Sequence, residues 1–130
     1  MLMKNQKQFT EILALIKELE AKCPARKTVS LEEQKKELVD EAVEAGLSVD
    51  KKDWVELKEE LGDVLWDWMV FCNIAEQKEL FSLEEVLELL KIKIKQRNPH
   101  VFGNEKANTK EEALEVKRRA KQKWKQREKA

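Results

Sequence analysis

Residues 51–79 read KKDWVELKEELGDVLWDWMVFCNIAEQKE, a run with no proline and a single glycine, Gly62. At 100° per residue, Leu57, Leu61, Val64, Leu65, Trp68, Phe71, Cys72 and Ala75 form one apolar stripe about 120° wide, so the run predicts a long amphipathic helix. Beyond residue 65, Trp66, Met69, Val70 and Ile74 add a second apolar surface. A helix that is apolar on two sides is buried on two sides. The first surface is therefore expected in a bundle core, and the second in a subunit interface. Glu60, Asp63 and Asp67 lie at the boundary between them. A desolvated carboxylate without a partner costs several kcal/mol or takes up a proton, so a positive group is expected beside them.

Breakers and caps divide the rest of the chain into further helices. Asn5 to Lys22 carries Phe9, Ile12, Leu13, Leu15, Ile16 and Leu19 at helical spacing and stops at Cys23-Pro24. Ser30 with Glu33 is a capping box opening a second helix, which Gly46 is expected to end. The long third helix is expected to start near Asp50 or Lys51. Ser82 with Glu85 opens a fourth that stops at Asn98-Pro99, residues 99–103 form a loop, and Thr109 with Glu112 opens a last helix.

Composition supports this reading. Ala, Glu, Lys, Leu and Arg supply 73 of the 130 residues, while Gly and Pro supply five, which excludes a fold built on strands and turns. The expected fold is all-α, a four-helix-bundle core with about five helices. It is a single domain over 1–130, with the core at about 5–104 and a basic C-terminal helix at about 109–128. Apolar content is too high for disorder. No apolar run is long enough to span a membrane, and MLMKNQKQF lacks a secretory signal, so a cytoplasmic protein is expected. Cys23 and Cys72, 49 residues apart, match no metal or redox spacing and are expected as free thiols.

The zero net charge hides an asymmetry. Residues 28–90 hold six bases and eighteen acids, and residues 91–130 hold fourteen bases and five acids. Within the acidic part, Glu37, Asp40, Glu41 and Glu44 share one stripe of the second helix. A lone acidic run is usually a solvated face. Here Glu41 and Glu44 are i, i+3 on one helix, while Glu60 and Asp63 are i, i+3 on the next, across a loop short enough to make the two antiparallel neighbours. Oxygen donors without histidine suit Mg²⁺ or Mn²⁺ and argue against zinc or copper. In the basic part, Lys93 and Arg97 at i, i+4 could face a polyphosphate. Trp54, Trp66 and Trp68 at helical spacing are read as core or interface residues, and His100 as a loop residue.

The run Asp40-Glu41-Ala42-Val43-Glu44 and then Glu60-Leu61-Gly62-Asp63 resembles the EExxE…ExxD signature of the MazG-type nucleoside triphosphate pyrophosphohydrolases. Cys23-Pro24 stands where that family has its CPW segment, and Asn98-Pro99-His100-Val101-Phe102-Gly103 resembles its HPHVFG segment. The resemblance implies an all-α dimer or dimer of dimers. It implies Mg²⁺-dependent hydrolysis of a (d)NTP to monophosphate and diphosphate, by metal-activated water attack at the α-phosphorus, in a house-cleaning role. By position, Glu41, Glu44, Glu60 and Asp63 become metal ligands and Lys93 and Arg97 triphosphate contacts. Lys58 lies close to a further basic position, Asp40 is a candidate base, and Asp67 a candidate additional acid. The chain departs from the family at Ala25, where a Trp is usual, at Val29-Ser30-Leu31 in place of a QTH stretch, and at Glu56 where a Lys occurs.

A dUTPase/dCTPase-like or phosphoribosyl-ATP-type pyrophosphohydrolase would share this metal chemistry without the PHVFG segment. A helical interaction module using residues 114–130 on nucleic acid is the reading from another class, with no groove-reading motif to support it.

Overall fold

The computed structural model describes residues 2–129, with side chains described from residue 3 onward. No strand occurs among them, and the elements in order are α1 (Leu2–Lys22), α2 (Leu31–Asp50), α3 (Trp54–Gln77), α4 (Leu83–Arg97), α5 (Pro99–Phe102) and α6 (Lys110–Lys129). The helices fall into two compact units, one ending at Leu83 and one beginning at Glu84.

In the N-terminal unit, α2 starts at the expected capping box. Ser30 Oγ accepts from the Glu33 backbone N–H at 3.1 Å, and the Glu33 carboxylate accepts from the Ser30 N–H at 3.3 Å. Gly46 does not end this helix, which continues to Asp50. A glycine inside a helix costs only about 1 kcal/mol, and burial of Ala45 and Ser48 on either side of Gly46 outweighs it. The third helix begins later than expected, at Trp54, because Asp53 takes the cap position and its Oδ1 accepts from the Glu56 N–H at 3.1 Å.

The core of this unit is Ile16 of α1 against Met69, Val70 and Ile74 of α3, with Phe9, Leu13, Leu65 and Trp68 packed around it. This corrects the expectation for the second apolar surface of α3. Met69, Val70 and Ile74 are interior residues that receive α1, not interface residues, and of that set only Trp66 stays about half exposed. The first stripe is buried only toward its C-terminal end, at Cys72 and Ala75, and Leu61 remains 55% exposed.

A polar network closes the end of the unit. The Arg26 guanidinium donates to Glu20 from Nε at 2.7 Å and from Nη2 at 3.2 Å, and Nη2 also donates to Gln34 Oε1 at 2.9 Å. Gln34, with no exposed surface, donates from Nε2 to the Asp67 carbonyl at 3.0 Å. Glu20, Arg26 and Gln34 thereby each have a partner, which is the condition for burying them.

In the C-terminal unit, α6 buries Val116, Ala120 and Trp124, spaced four apart on one face. Gln96 of α4 donates from Nε2 to the Ala120 carbonyl at 3.0 Å. Thr109 caps α6 with half of the expected box: its Oγ1 accepts from the Glu112 N–H at 3.1 Å, while the Glu112 carboxylate accepts from the Asn108 N–H at 2.9 Å. Residues 99–103, expected as a loop, contain the helical turn α5. Pro99 opens it with a ring already set at helical φ, and the Phe102 N–H closes on the Asn98 carbonyl at 3.0 Å.

Helices α2 and α3 both end on a non-glycine residue in the left-handed region, Lys52 at φ 57° and Glu79 at φ 58°. Around each, a six-residue Schellman bond forms, Asp53 N–H to Ser48 carbonyl and Leu80 N–H to Ala75 carbonyl, both at 3.0 Å. A side chain in that conformation costs roughly 1 kcal/mol relative to glycine. Lys52→Gly and Glu79→Gly are each expected to raise stability by up to about 1 kcal/mol, measured by denaturant unfolding.

Candidate metal centre

The short Lys51–Asp53 connection folds α3 back along α2, and the helical periods then set facing rows of acids. On α2, Glu44, Glu41 and Glu37 succeed one another at three- and four-residue steps. On α3, Glu60, Asp63 and Asp67 do the same in the opposite direction. Where the rows meet, Glu41, Glu60 and Asp63 each offer a carboxylate oxygen lying within 4.8 Å of the other two. All three are half-buried. Glu41 Oε2 and Glu60 Oε2 are buried with no hydrogen-bond partner among the described residues.

The electrostatics follow from that crowding. A hydrogen bond with Glu60, burial, and the charges of Glu44, Glu60 and Asp63 push the Glu41 pKa up to about 7. The bond from Glu41 favours the ionised form of Glu60, but burial and the charges of Glu44 and Asp63 outweigh it, and its pKa is also raised. No salt bridge from Lys or Arg reaches this trio among the described residues. Orphaned, crowded carboxylate oxygens fit a hard divalent cation, which would satisfy the unpaired oxygens and remove the repulsion.

The other residues singled out in the sequence are less closely placed. Glu44 is exposed and outside the trio, although its charge acts on both Glu41 and Glu60. Asp40 and Lys58 are exposed on α2 and α3 and do not join the trio. Asp67 is half-buried. Burial raises its pKa, while the hydrogen bond from Gln34 Nε2 to its Oδ1, at 3.4 Å, and the Arg26 charge act against the rise. Lys93 and Arg97 belong to the C-terminal unit, where the Lys93 ammonium stands 6.0 Å from the centre of the Trp124 ring. Arg97 Nε is buried and has no acceptor among the described residues. A Cβ at Gly62 would meet nothing within 4 Å, so no close approach among the described residues requires that glycine.

Sequence reading missed Arg26. With Glu37, Glu41, Asp63, Trp66, Asp67 and Val70 it lines a cleft of about 320 Å³ that runs from the trio to the Glu20–Arg26–Gln34 network. Its partner Glu20 lies six residues away across the break at Cys23-Pro24, and no periodic pattern links positions across such a turn. Glu20 was legible only as one more polar helix position, yet it is 5% exposed.

Residues 29–102, more than half of the chain, match the sequence profile of the MazG nucleotide pyrophosphohydrolase domain, and the chain belongs to that family. It is 33% identical over 98 residues to the nucleoside triphosphate pyrophosphohydrolase/pyrophosphatase MazG of Thermotoga maritima, covering 74% of this chain and 38% of that protein. It is 24% identical over 103 residues to the nucleoside triphosphate pyrophosphohydrolase of Escherichia coli K12, covering 79% of this chain and 39% of that one. The chain thus spans under two fifths of the length of these relatives. Its fold matches the crystal structure of a mazG-related protein from Thermotoga maritima with a TM-score of 0.77 and 29% identity, over 87% of this chain and 98% of that one. Among the described residues, no helix is long and apolar enough to cross a membrane.

Because the fold raises the Glu41 pKa from 4.5 to about 7, this group's contribution to stability is complete below about pH 4.5 and is lost as pH rises through 7. For the metal-free chain, the thermal midpoint is expected to fall between about pH 5 and 8. Glu41→Gln should flatten that fall, and saturating Mg²⁺ should oppose it by binding the folded state. Thermal scans across this range check all three outcomes.

Proposed function

We propose that this chain hydrolyses nucleoside triphosphates to the monophosphate and diphosphate, with Mg²⁺, or Mn²⁺ in its place, held by Glu41, Glu60 and Asp63 and with Glu44 completing the acidic set. The observation that carries the reading is the convergence of those three carboxylates, from facing turns of α2 and α3, inside the span that matches the family. When bound there, the cation supplies charge neutralisation and Lewis acidity to the phosphate oxygens and to the attacking water.

The chain's own residues do the rest. The i, i+3 pair Glu60 and Asp63 and the facing Glu41 keep their oxygens within 4.8 Å of one another, which supports a site assembled before substrate arrives. Asp40, exposed next to Glu41 in sequence, is the group assigned to take the water's proton. Lys93 and Arg97 are assigned to the phosphates by the motif positions they occupy. Arg97 Nε, without an acceptor among the described residues, supports a role for this side chain toward an anion, and the Trp124 face supports the Lys93 ammonium. Lys58 is the third basic group of this set. The physiological reading is removal of unwanted nucleoside triphosphates in the cytoplasm, where the free thiols Cys23 and Cys72 stay reduced.

Exposed apolar side chains support a homo-oligomer. Ile12, Leu15 and Leu19 of α1 line, with Trp66 and Gly62, an apolar groove of about 340 Å³, and Leu15 is 66% exposed. Light scattering is expected to give a mass at a multiple of the chain's, and Leu15→Glu is expected to shift it toward the monomer.

The activity test is incubation with a panel of (d)NTPs and Mg²⁺, reading diphosphate and monophosphate release. Glu41→Gln and Asp63→Asn are each expected to lower the rate by at least about 100-fold, the scale seen when one electrostatic partner of a transition state is lost. No release from any nucleotide, or release unaffected by both substitutions, would overturn the proposal.

A further inference from the structure

The cleft extends one helical turn past the metal-binding trio, from Asp63 to Asp67 on α3 and from Glu41 to Glu37 on α2, and ends at Arg26. Nothing in the hydrolysis scheme above uses this end. The whole cleft, trio end included, has a volume of about 320 Å³, at the lower limit for small-molecule clefts, roughly 300–1,000 Å³.

The polar atoms here are oriented before any ligand arrives. Gln34, fully buried, donates from Nε2 to the Asp67 carbonyl at 3.0 Å and to Asp67 Oδ1 at 3.4 Å. Oδ2 of the same carboxylate accepts no hydrogen bond from a protein group among the described residues. Arg26 is fixed by Glu20 through Nε and Nη2 and by Gln34 through Nη2. Its Nη1 makes no hydrogen bond among the described residues, the Glu37 carboxylate standing 3.6 Å away. Trp66 forms part of the same wall and is 48% exposed. The cleft end therefore offers an aromatic surface, acceptors on Asp67 and Glu37, and one charged donor.

We propose that this end binds the nucleobase and selects nucleoside triphosphates whose base carries an exocyclic amino group, with Trp66 stacking on the ring, Asp67 accepting from the amino group and Arg26 donating to a neighbouring ring acceptor. Cytosine presents an amino donor beside a ring nitrogen, which matches the pair. Uracil presents a carbonyl beside an N–H at the same edge, setting acceptor against acceptor at Asp67 and donor against donor at Arg26. A site built to pair a donor rejects the analogue that lacks it, because its own buried polar groups are then left unsatisfied. Asp67 and Trp66 are specificity-determining residues in this scheme. Gln34 and Glu20 are positioning residues that act through Asp67 and Arg26.

The inference rests on the triphosphate reading above, and its test separates the two. Isothermal titration calorimetry of the full chain with the α,β-methylene analogues of CTP and UTP, each with Mg²⁺, reads base preference without turnover. The unsubstituted chain is expected to bind the cytidine analogue at least about tenfold more tightly. Asp67→Asn keeps Oδ1 for Gln34 and puts an NH₂ donor where Oδ2 was, so it is expected to equalise or invert the preference. Trp66→Ala is expected to weaken both analogues by about tenfold, since stacking serves either base. Equal affinities in the unsubstituted chain, or a ratio unmoved by Asp67→Asn, would overturn the inference. Hydrolysis of CTP and UTP at equal kcat/KM would also overturn it while leaving the hydrolase reading intact. Preferential binding of the cytidine analogue with no diphosphate released from CTP would uphold it and defeat the hydrolase reading instead.

Discussion

Glu41, Glu60 and Asp63 bring three carboxylate oxygens within 4.8 Å of one another in a half-buried setting, where water screens charge poorly. Left to themselves these groups push α2 and α3 apart. The two helices nevertheless stay in register, because other contacts hold them. Ile16, Met69, Val70 and Ile74 lock α1 onto α3, and Gln34 bonds α2 to the α3 backbone at Asp67. The strain is thus confined to side-chain protonation, expressed in the raised pKa of Glu41.

The same geometry gives one pair of helices two chemically different ends. An antiparallel pair carries equivalent turns past each other in opposite directions, so the steps Glu41 to Glu37 and Asp63 to Asp67 lead the same way in space. Acids one turn apart then have different neighbours. Among the described residues no Lys or Arg forms a salt bridge with the trio, whereas Glu37 and Asp67 stand beside Arg26, which Glu20 holds by two hydrogen bonds. Like residue types acquire unlike roles from the partners placed next to them.

The capping boxes show where local sequence sufficed. Ser30 with Glu33 and the Thr109 cap depend on groups three residues apart, so they could be read directly. The ends of α2 and α3 could not. The residues that turn the chain there, Lys52 and Glu79, carry no glycine signal, while the real glycine at position 46 is carried inside a helix by its neighbours' packing. The two-sided apolar pattern of α3 was legible as burial on two sides. Whether a given side met α1 or a second chain was not, since an apolar face is complementary to any other apolar face.

The sequence by itself determined that the chain is all-α and led to the expectation that Glu41, Glu44, Glu60 and Asp63 share one region, because helical periodicity and a short connection leave few ways to arrange two neighbouring helices. It also marked Lys93 and Arg97 as a basic pair, through spacing alone. Only the tertiary structure decided that Met69, Val70 and Ile74 are core, that Glu44 stands outside the tight trio, and that Arg26, Trp66 and Asp67 line one cleft, with the buried Gln34 bonded to Arg26 and Asp67. Those outcomes depend on contacts between residues far apart in the chain, such as Gln34 with Asp67, 33 positions away. Such pairs leave no periodic trace. Their energy comes from desolvation and hydrogen bonding that exist only after the helices have packed.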